Sequence, residues 1–376
     1  MKPCEVAVVG AGIVGAATAW ELHARGVDVA LLDRGEVSGA TTGLGEGNVL
    51  CSDKEAGPEL ELTLAGLRVF DELEALVGEQ ARIRRKGALI VHRSEATWAD
   101  EPDRVERLRA AGVQGAVLDL DDVRAMEPEL RGALAGASFF PADLQCAPRA
   151  IARALAGRLP RVHTGVEVHG VALQHDRVTG LRTSEGALAC DAAVIAAGPW
   201  SRGLAEAAGV ALPLEPRKGQ LVRLAAQTRD ERFIRHKVVE AGYLGSVASV
   251  DAGLQITTVL ETTWEGDVLV GSSRERRGFD LAVDAGVSDA MLEHACALMP
   301  GLRGLALDAA WAGLRPWLPD HLPAMGPSGA VAGLWLATGH EGAGVALGPV
   351  SGRLVAQLYA GEAPIVDPAP FSPDRF

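Results

Sequence analysis

The sequence predicts an α/β protein in two interleaved parts, one built on a parallel sheet and the other an α+β unit on a mainly antiparallel sheet. Three observations carry that expectation. The chain begins with a strand–turn–helix–strand run, its texture changes twice to short alternating strands, and it ends by returning to an apolar strand followed by a helix. Its 376 residues leave room for about two domains at roughly 150 residues each.

Taken in order, Cys4 to Gly10 is a short apolar run, Gly12 to Gly26 has helical length, and Val27 to Asp33 is apolar again. Strand, helix and strand within about 30 residues make a βαβ unit. A Gly-, Ser- and Thr-rich loop follows from Arg34 to Asn48, and Pro58 opens a helix through Glu79 whose Leu60, Leu64, Leu67, Phe70, Leu73 and Leu76 fall on one face. From Arg82 to Asp143 short strands alternate with charged helical stretches. Strands are expected again at Val162 to Gly180 and Ala187 to Gly198. After Pro216 the runs Gln220 to Leu224, His236 to Val250, Gly253 to Glu261 and Asp267 to Ser273 alternate as antiparallel strands do. Val287 to Leu298 reads as a helix, and Leu334 to Thr338 as a strand entering a glycine-rich turn and a last helix to about Tyr359.

Composition excludes several classes of function. Lys and Arg total 36 against 49 Asp and Glu, and a net charge of −13 repels a nucleic-acid backbone unless a local basic patch compensates. The densest basic stretches, Arg82 to Lys86, Arg274 to Arg277 and the pair Arg217 and Lys218, are short and read as solvated strand ends. Five scattered cysteines match neither a disulfide framework nor a metal site, which fits a reduced, cytoplasmic setting. The longest uncharged run near the start, Val6 to Trp20, has 15 residues, short of the roughly 18 to 20 that span a bilayer. No metal site emerges among nine scattered histidines, and no GxSxG marks a hydrolase.

The chemistry is concentrated in GAGIVG, with Gly10, Gly12 and Gly15, followed 18 residues later by Asp33 at the end of the second strand. Gly10 allows the tight strand-to-helix turn, Gly12 lets a pyrophosphate approach the positive helix start, and Gly15 permits close helix–strand packing. Asp33 can accept hydrogen bonds from ribose hydroxyls. This is a Rossmann-like dinucleotide-binding pattern, and by itself it serves NAD and FAD alike.

Taken with AVIAAGPWS (Ala193 to Ser201), GLRPWLPDHLPAMGP and the final WLATGHEGAGVALGPVSGRLVAQL (Trp335 to Leu358), the motif makes the chain resemble the flavoprotein family of glycine oxidase, sarcosine oxidase and D-amino-acid oxidase. The resemblance implies an FAD-binding domain over 1–80, 145–216 and 306–376, and a substrate domain over 81–144 and 217–305. It implies flavin contacts at Thr41, Thr42 and Gly43, contacts at the adenine end near Val166 to Val168, and further cofactor contacts at Arg34 and Gly198. In the turn Gly339 to Gly344, with His340, Gly342 and Gly344, backbone N–H groups would face the flavin. Arg315, in GLRP, would pair with a substrate carboxylate as a planar guanidinium can. Tyr243 would either close the pocket over that carboxylate or simply pack, and His236 and Glu240 are weaker candidates. Trp317, Leu318 and Pro319 stand where some relatives attach flavin through Cys, so FAD is expected to bind non-covalently.

The implied activity is oxidation of a small amino or imino acid by hydride transfer to flavin, giving an imine. Part of the middle, RHKVVEAGYLGSVAS with GLQITTVLETTWEGDVLVGSSRERRGFD, looks more like the flavin subunit of heteromeric amino-acid dehydrogenases, which passes electrons to partner subunits. A free-standing oxidase that makes peroxide and a non-catalytic FAD-binding subunit are the alternatives.

Overall fold

A computed structural model describes residues 1–225 and 233–376; residues 226–232 of the expected substrate domain lie outside the described residues. The first sheet runs, edge to edge, Ala324–Pro327, Leu334–Thr338, Gly186–Ile195, Cys4–Val9, Val29–Asp33 and Val162–Thr164. Its four central neighbours are parallel, as is the pair that adds Val162–Thr164. The central strands are mainly apolar because both faces are covered: Val6, Ala7, Val8, Leu31, Ala193 and Ile195 are all buried. A hairpin, Val168–Gln174 and Arg177–Thr183, extends the sheet from Gly186–Ile195. The single strand expected over Val162 to Gly180 is therefore three strands, broken by a turn at Gly165 and by the hairpin.

On one face of this sheet the helices Ile13–Ala24 and Gly344–Ala360 cross at close range. A Cβ on Gly352 would stand 2.6 Å from the Ala17 carbonyl carbon and one on Gly348 3.0 Å from Ile13. Two glycines one helical turn apart thus allow near backbone-to-backbone contact. The helix Pro58–Val77 packs beside them, with Leu60, Phe70 and Leu73 buried and Leu64, Leu67 and Leu76 half-buried against the same cores, as its periodicity requires.

The second sheet has the order Ala306–Trp317, Glu215–Ala225, Val268–Arg274, Gln255–Thr262, Lys237–Glu240, Ala88–His92, Gly136–Phe140 and Ala116–Leu118. It is antiparallel except where Lys237–Glu240 pairs in parallel with Ala88–His92. Ala306–Trp317 is paired along its length with Glu215–Ala225, so residues 306–317, expected with the first domain, add to the second sheet. The strand expected from His236 to Val250 stops at Glu240; Gly242–Ala248 is a short helix. Three of the basic residues read as solvated strand ends, Arg217, Lys218 and Arg274, are buried, and the Lys86 side chain is nearly so. Sheet pairing turned them inward, where carboxylates meet them. Among the described residues no helix is long and apolar enough to cross a membrane, and no group of His, Cys, Asp or Glu could hold a metal.

Candidate active site

One cavity reaches from the glycine turn of the first sheet to the face of the second. At its first end Gly10 has φ +108° and a Cβ there would meet Ala196 O at 2.4 Å, so the strand can turn only with glycine. Gly12, Ile13 and Val14 bring the start of the helix Ile13–Ala24 into the wall. Thr42 Oγ1 accepts from Ile13 N–H at 3.0 Å. Asp33 accepts Ala11 N–H at 2.7 Å on Oδ2 and Gly35 N–H at 2.8 Å on Oδ1; each oxygen keeps acceptor capacity for a ribose. Arg34 lies 4.2 Å over the Trp200 ring, beside Gly198 and Val168 in the same wall.

This end fits a dinucleotide with a pyrophosphate: a helix start with no Cβ in the way, an acidic residue at the strand end and a guanidinium–aromatic lid. Gly10, Gly12, Asp33, Arg34, Thr41, Thr42, Val168, Gly198, His340, Gly342 and Gly344 all line the cavity. Gly15, Gly43 and Gly339 do not. Gly15 packs against the Gly10 carbonyl, where a Cβ would stand at 1.8 Å, Gly43 O accepts from Arg149 at 3.0 Å, and Gly339 lies under Leu318. Space excludes a Cβ at all three, which on Gly43 would meet Ser38 O at 2.2 Å, and Gly339 also has φ +84°. His340 donates to or accepts from Ser351 Oγ at 2.9 Å, and burial pulls its pKa down to about 3, so the ring is neutral.

At the other end the wall is the face of the second sheet. Opposed residues of an antiparallel pair project to the same side. Arg217 faces Arg315 and Gly219 faces Gly313, so all four share a side with the cavity. The Arg315 guanidinium crosses Gly219, whose Cβ would lie 2.1 Å from Nη1, and donates to Ser273 O at 3.0 Å. Burial and the nearby Arg274 charge lower its pKa to about 10; at neutral pH it remains a cation. Among the described residues no carboxylate stands within ion-pair distance of it.

Sequence reasoning missed the residues around it. Arg217 is fully buried and donates to Glu341 Oε1 at 2.7 Å; Arg274, also buried, sits 3.9 Å from the same oxygen and 4.4 Å over the Tyr243 ring. Burial opposes ionisation of Glu341, but His321 and the Arg274, Arg217 and Arg315 guanidiniums outweigh it and hold the carboxyl at about 2. Glu341 stands inside the GHEGAG turn, and its mid-turn carboxylate was the available signal. Tyr243 lines the cavity from the helix Gly242–Ala248. His236 and Glu240 do not line it; His236 is bound to Glu127 at 2.9 Å. None of the five cysteines lines it either, and burial raises the pKa of every one of the thiols.

Comparison with known proteins agrees with this geometry. The family model described as FAD-dependent oxidoreductase matches residues 5–358. The glycine oxidase of Pseudomonas putida is 30% identical over 378 residues, covering 98% of each chain. A D-amino acid dehydrogenase of Cereibacter sphaeroides is 29% identical over 320 residues, covering 81% of this chain and 68% of that one. The crystal structure of glycine oxidase from Geobacillus kaustophilus superimposes with a TM-score of 0.89 at 28% identity, covering 100% of both chains. With the dinucleotide turn, the acidic strand end and the two-sheet cavity already in place, the match over nearly the whole length establishes that the chain belongs to the FAD-dependent oxidoreductase family.

Proposed function

We propose that the protein oxidises the carbon–nitrogen bond of a small amino or imino acid to an imine. The observation that carries this reading is Arg315, a cation in the cavity wall with no carboxylate partner among the described residues. It shares a cavity with the nucleotide turn. Its remaining N–H groups suit a bidentate pair with a carboxylate, and the buried Arg217–Glu341–Arg274 cluster keeps the surroundings positive. Tyr243, held under Arg274, narrows the pocket beside it. Segments 1–80, 145–214 and 318–376 form the cofactor half in this reading, and 81–144 with 215–317 the substrate half. FAD, when bound, accepts two electrons and a hydrogen from the substrate; no cysteine lines the cavity to tether it. The chain's own part is to bind, orient and shield the substrate.

The relative named as a D-amino acid dehydrogenase keeps a second reading open, in which electrons pass to a partner protein rather than to oxygen. Anaerobic titration of the yellow protein with glycine, sarcosine, D-proline and D-alanine, followed by air, tests both. Bleaching of the flavin by one of them supports the function; rapid recovery in air marks an oxidase and slow recovery a dehydrogenase. No bleaching by any amine overturns the reading.

A further inference from the structure

Glu46 and Asn48 lie in the wall of the same cavity, Glu46 in the loop after the short helix Thr41–Leu44 and Asn48 at the start of the strand Asn48–Val49. Glu46 Oε2 is fully engaged, taking Lys237 Nζ at 2.5 Å and the Asn48 side-chain amide. Glu46 Oε1 and Asn48 Oδ1 are buried and have no hydrogen-bond partner. Buried acceptors are almost always satisfied, and these two find no donor among the described residues.

The second sheet makes room for this carboxylate as it does for Arg315. A Cβ on Gly271 would stand 2.7 Å from Glu46 Oε1, and one on Gly219 would stand 2.1 Å from Arg315 Nη1. Neither glycine has a positive φ, and the space beside each leaves no room for a Cβ. Two glycines on neighbouring strands thus admit one anionic and one cationic tip. Glu46 and Arg315 are not ion-paired with each other, although the Glu46 charge helps to hold the guanidinium protonated. Behind Glu46, Lys237 reaches Glu261, which Lys86 meets at 2.8 Å, so the buried charges balance and the carboxylate is held in place.

An acceptor pair and a separate cation in one wall complement a zwitterion. We propose that Glu46 Oε1 and Asn48 Oδ1 receive the N–H groups of the substrate's amino nitrogen while Arg315 holds its carboxylate. This rests on the function proposed above. Two acceptors ask for at least two N–H groups, which primary and secondary ammonium ions carry and a tertiary one lacks.

The test uses the FAD-loaded protein and compares glycine with acetate, and D-proline with cyclopentanecarboxylate, which keep the carboxylate and lose the nitrogen. Affinity for the amino acids comes from the concentration dependence of anaerobic flavin reduction, and for the acids from perturbation of the flavin absorption band. In Glu46→Gln the amide places N–H donors where an acceptor stood. Amino-acid affinity should fall about tenfold or more, the loss of a charge-assisted bond, with acid affinity and FAD content unchanged. Asn48→Ala should act in the same direction and serves if Glu46→Gln fails to fold. In the wild type, N,N-dimethylglycine should reduce the flavin far more slowly than sarcosine. Equal losses for amino acids and acids, no loss in either variant, loss of FAD with substrate affinity intact, or dimethylglycine matching sarcosine would each overturn the assignment. Failure of the wild type itself to be reduced by any amino acid would instead bring down the underlying function.

Discussion

Arg217 and Arg315 stand directly opposite each other on paired strands, yet only Arg217 meets a carboxylate, Glu341 at 2.7 Å. Like charges facing each other across a ladder are destabilising. One carboxylate, set at φ +43° in the turn before the last helix, neutralises the buried member and leaves the cavity-facing member as the free cation. The division explains why a buried cluster of three guanidiniums is tolerated, and it ties the last helix to the second sheet.

Replacing Arg315 by Ala should raise the KM for the amino acid with FAD content unchanged. Each charge-assisted bond lost is worth about 1.5–3 kcal/mol, so kcat/KM should fall by at least tenfold. Lys should rescue poorly, because an ammonium cannot make the paired contact. Steady-state kinetics with the best substrate of the panel, beside the flavin-to-protein absorbance ratio, would show this.

Gly219→Ala is expected to mimic that loss from a neighbouring strand. Its Cβ would fall 2.1 Å from Arg315 Nη1, and the guanidinium is the group that must move. The outcome to look for is a raised KM with thermal stability changed little; an unchanged KM would mean that Arg315 is free to relocate without cost.

At the other end of the cavity, Gly10→Ala should abolish cofactor retention. The residue combines φ +108° with a Cβ 2.4 Å from a backbone oxygen that cannot give way. Strain of about 1–3 kcal/mol from the dihedral alone, plus the clash, would distort the turn; purified protein should be colourless and melt earlier than the wild type.

Glu341 predicts an acid limb in stability. Its folded-state pKa of about 2 is below that of an unfolded Glu, about 4.3. The unfolded chain therefore binds the proton first, and the stabilisation, on the order of 3 kcal/mol at about 1.4 per unit, is present above about pH 5 and lost as pH falls toward 2. Glu341→Gln should be less stable at pH 7 and show a shallower decline between pH 5 and 2, as denaturant titrations across that range would measure.

What the sequence alone determined is what short stretches decide. The run from Cys4 to Asp33 folds as read because its strand, glycine turn, helix and acidic strand end are neighbours along the chain, and each imposes its own backbone requirement. The amphipathic helix after Pro58 and the glycine-rich turn before the last helix are local in the same sense. Tertiary structure decided which charges are buried. Arg217, Lys218 and Arg274 look like solvated strand ends because nothing within a few residues covers them; pairing with strands tens of residues away does. Tyr243 joined a short helix rather than a strand, and Glu46 became an acceptor in the cavity only when Gly271, more than two hundred residues further on, passed beneath it. Such positions depend on long-range register, and a residue's own neighbours in sequence carry no record of it.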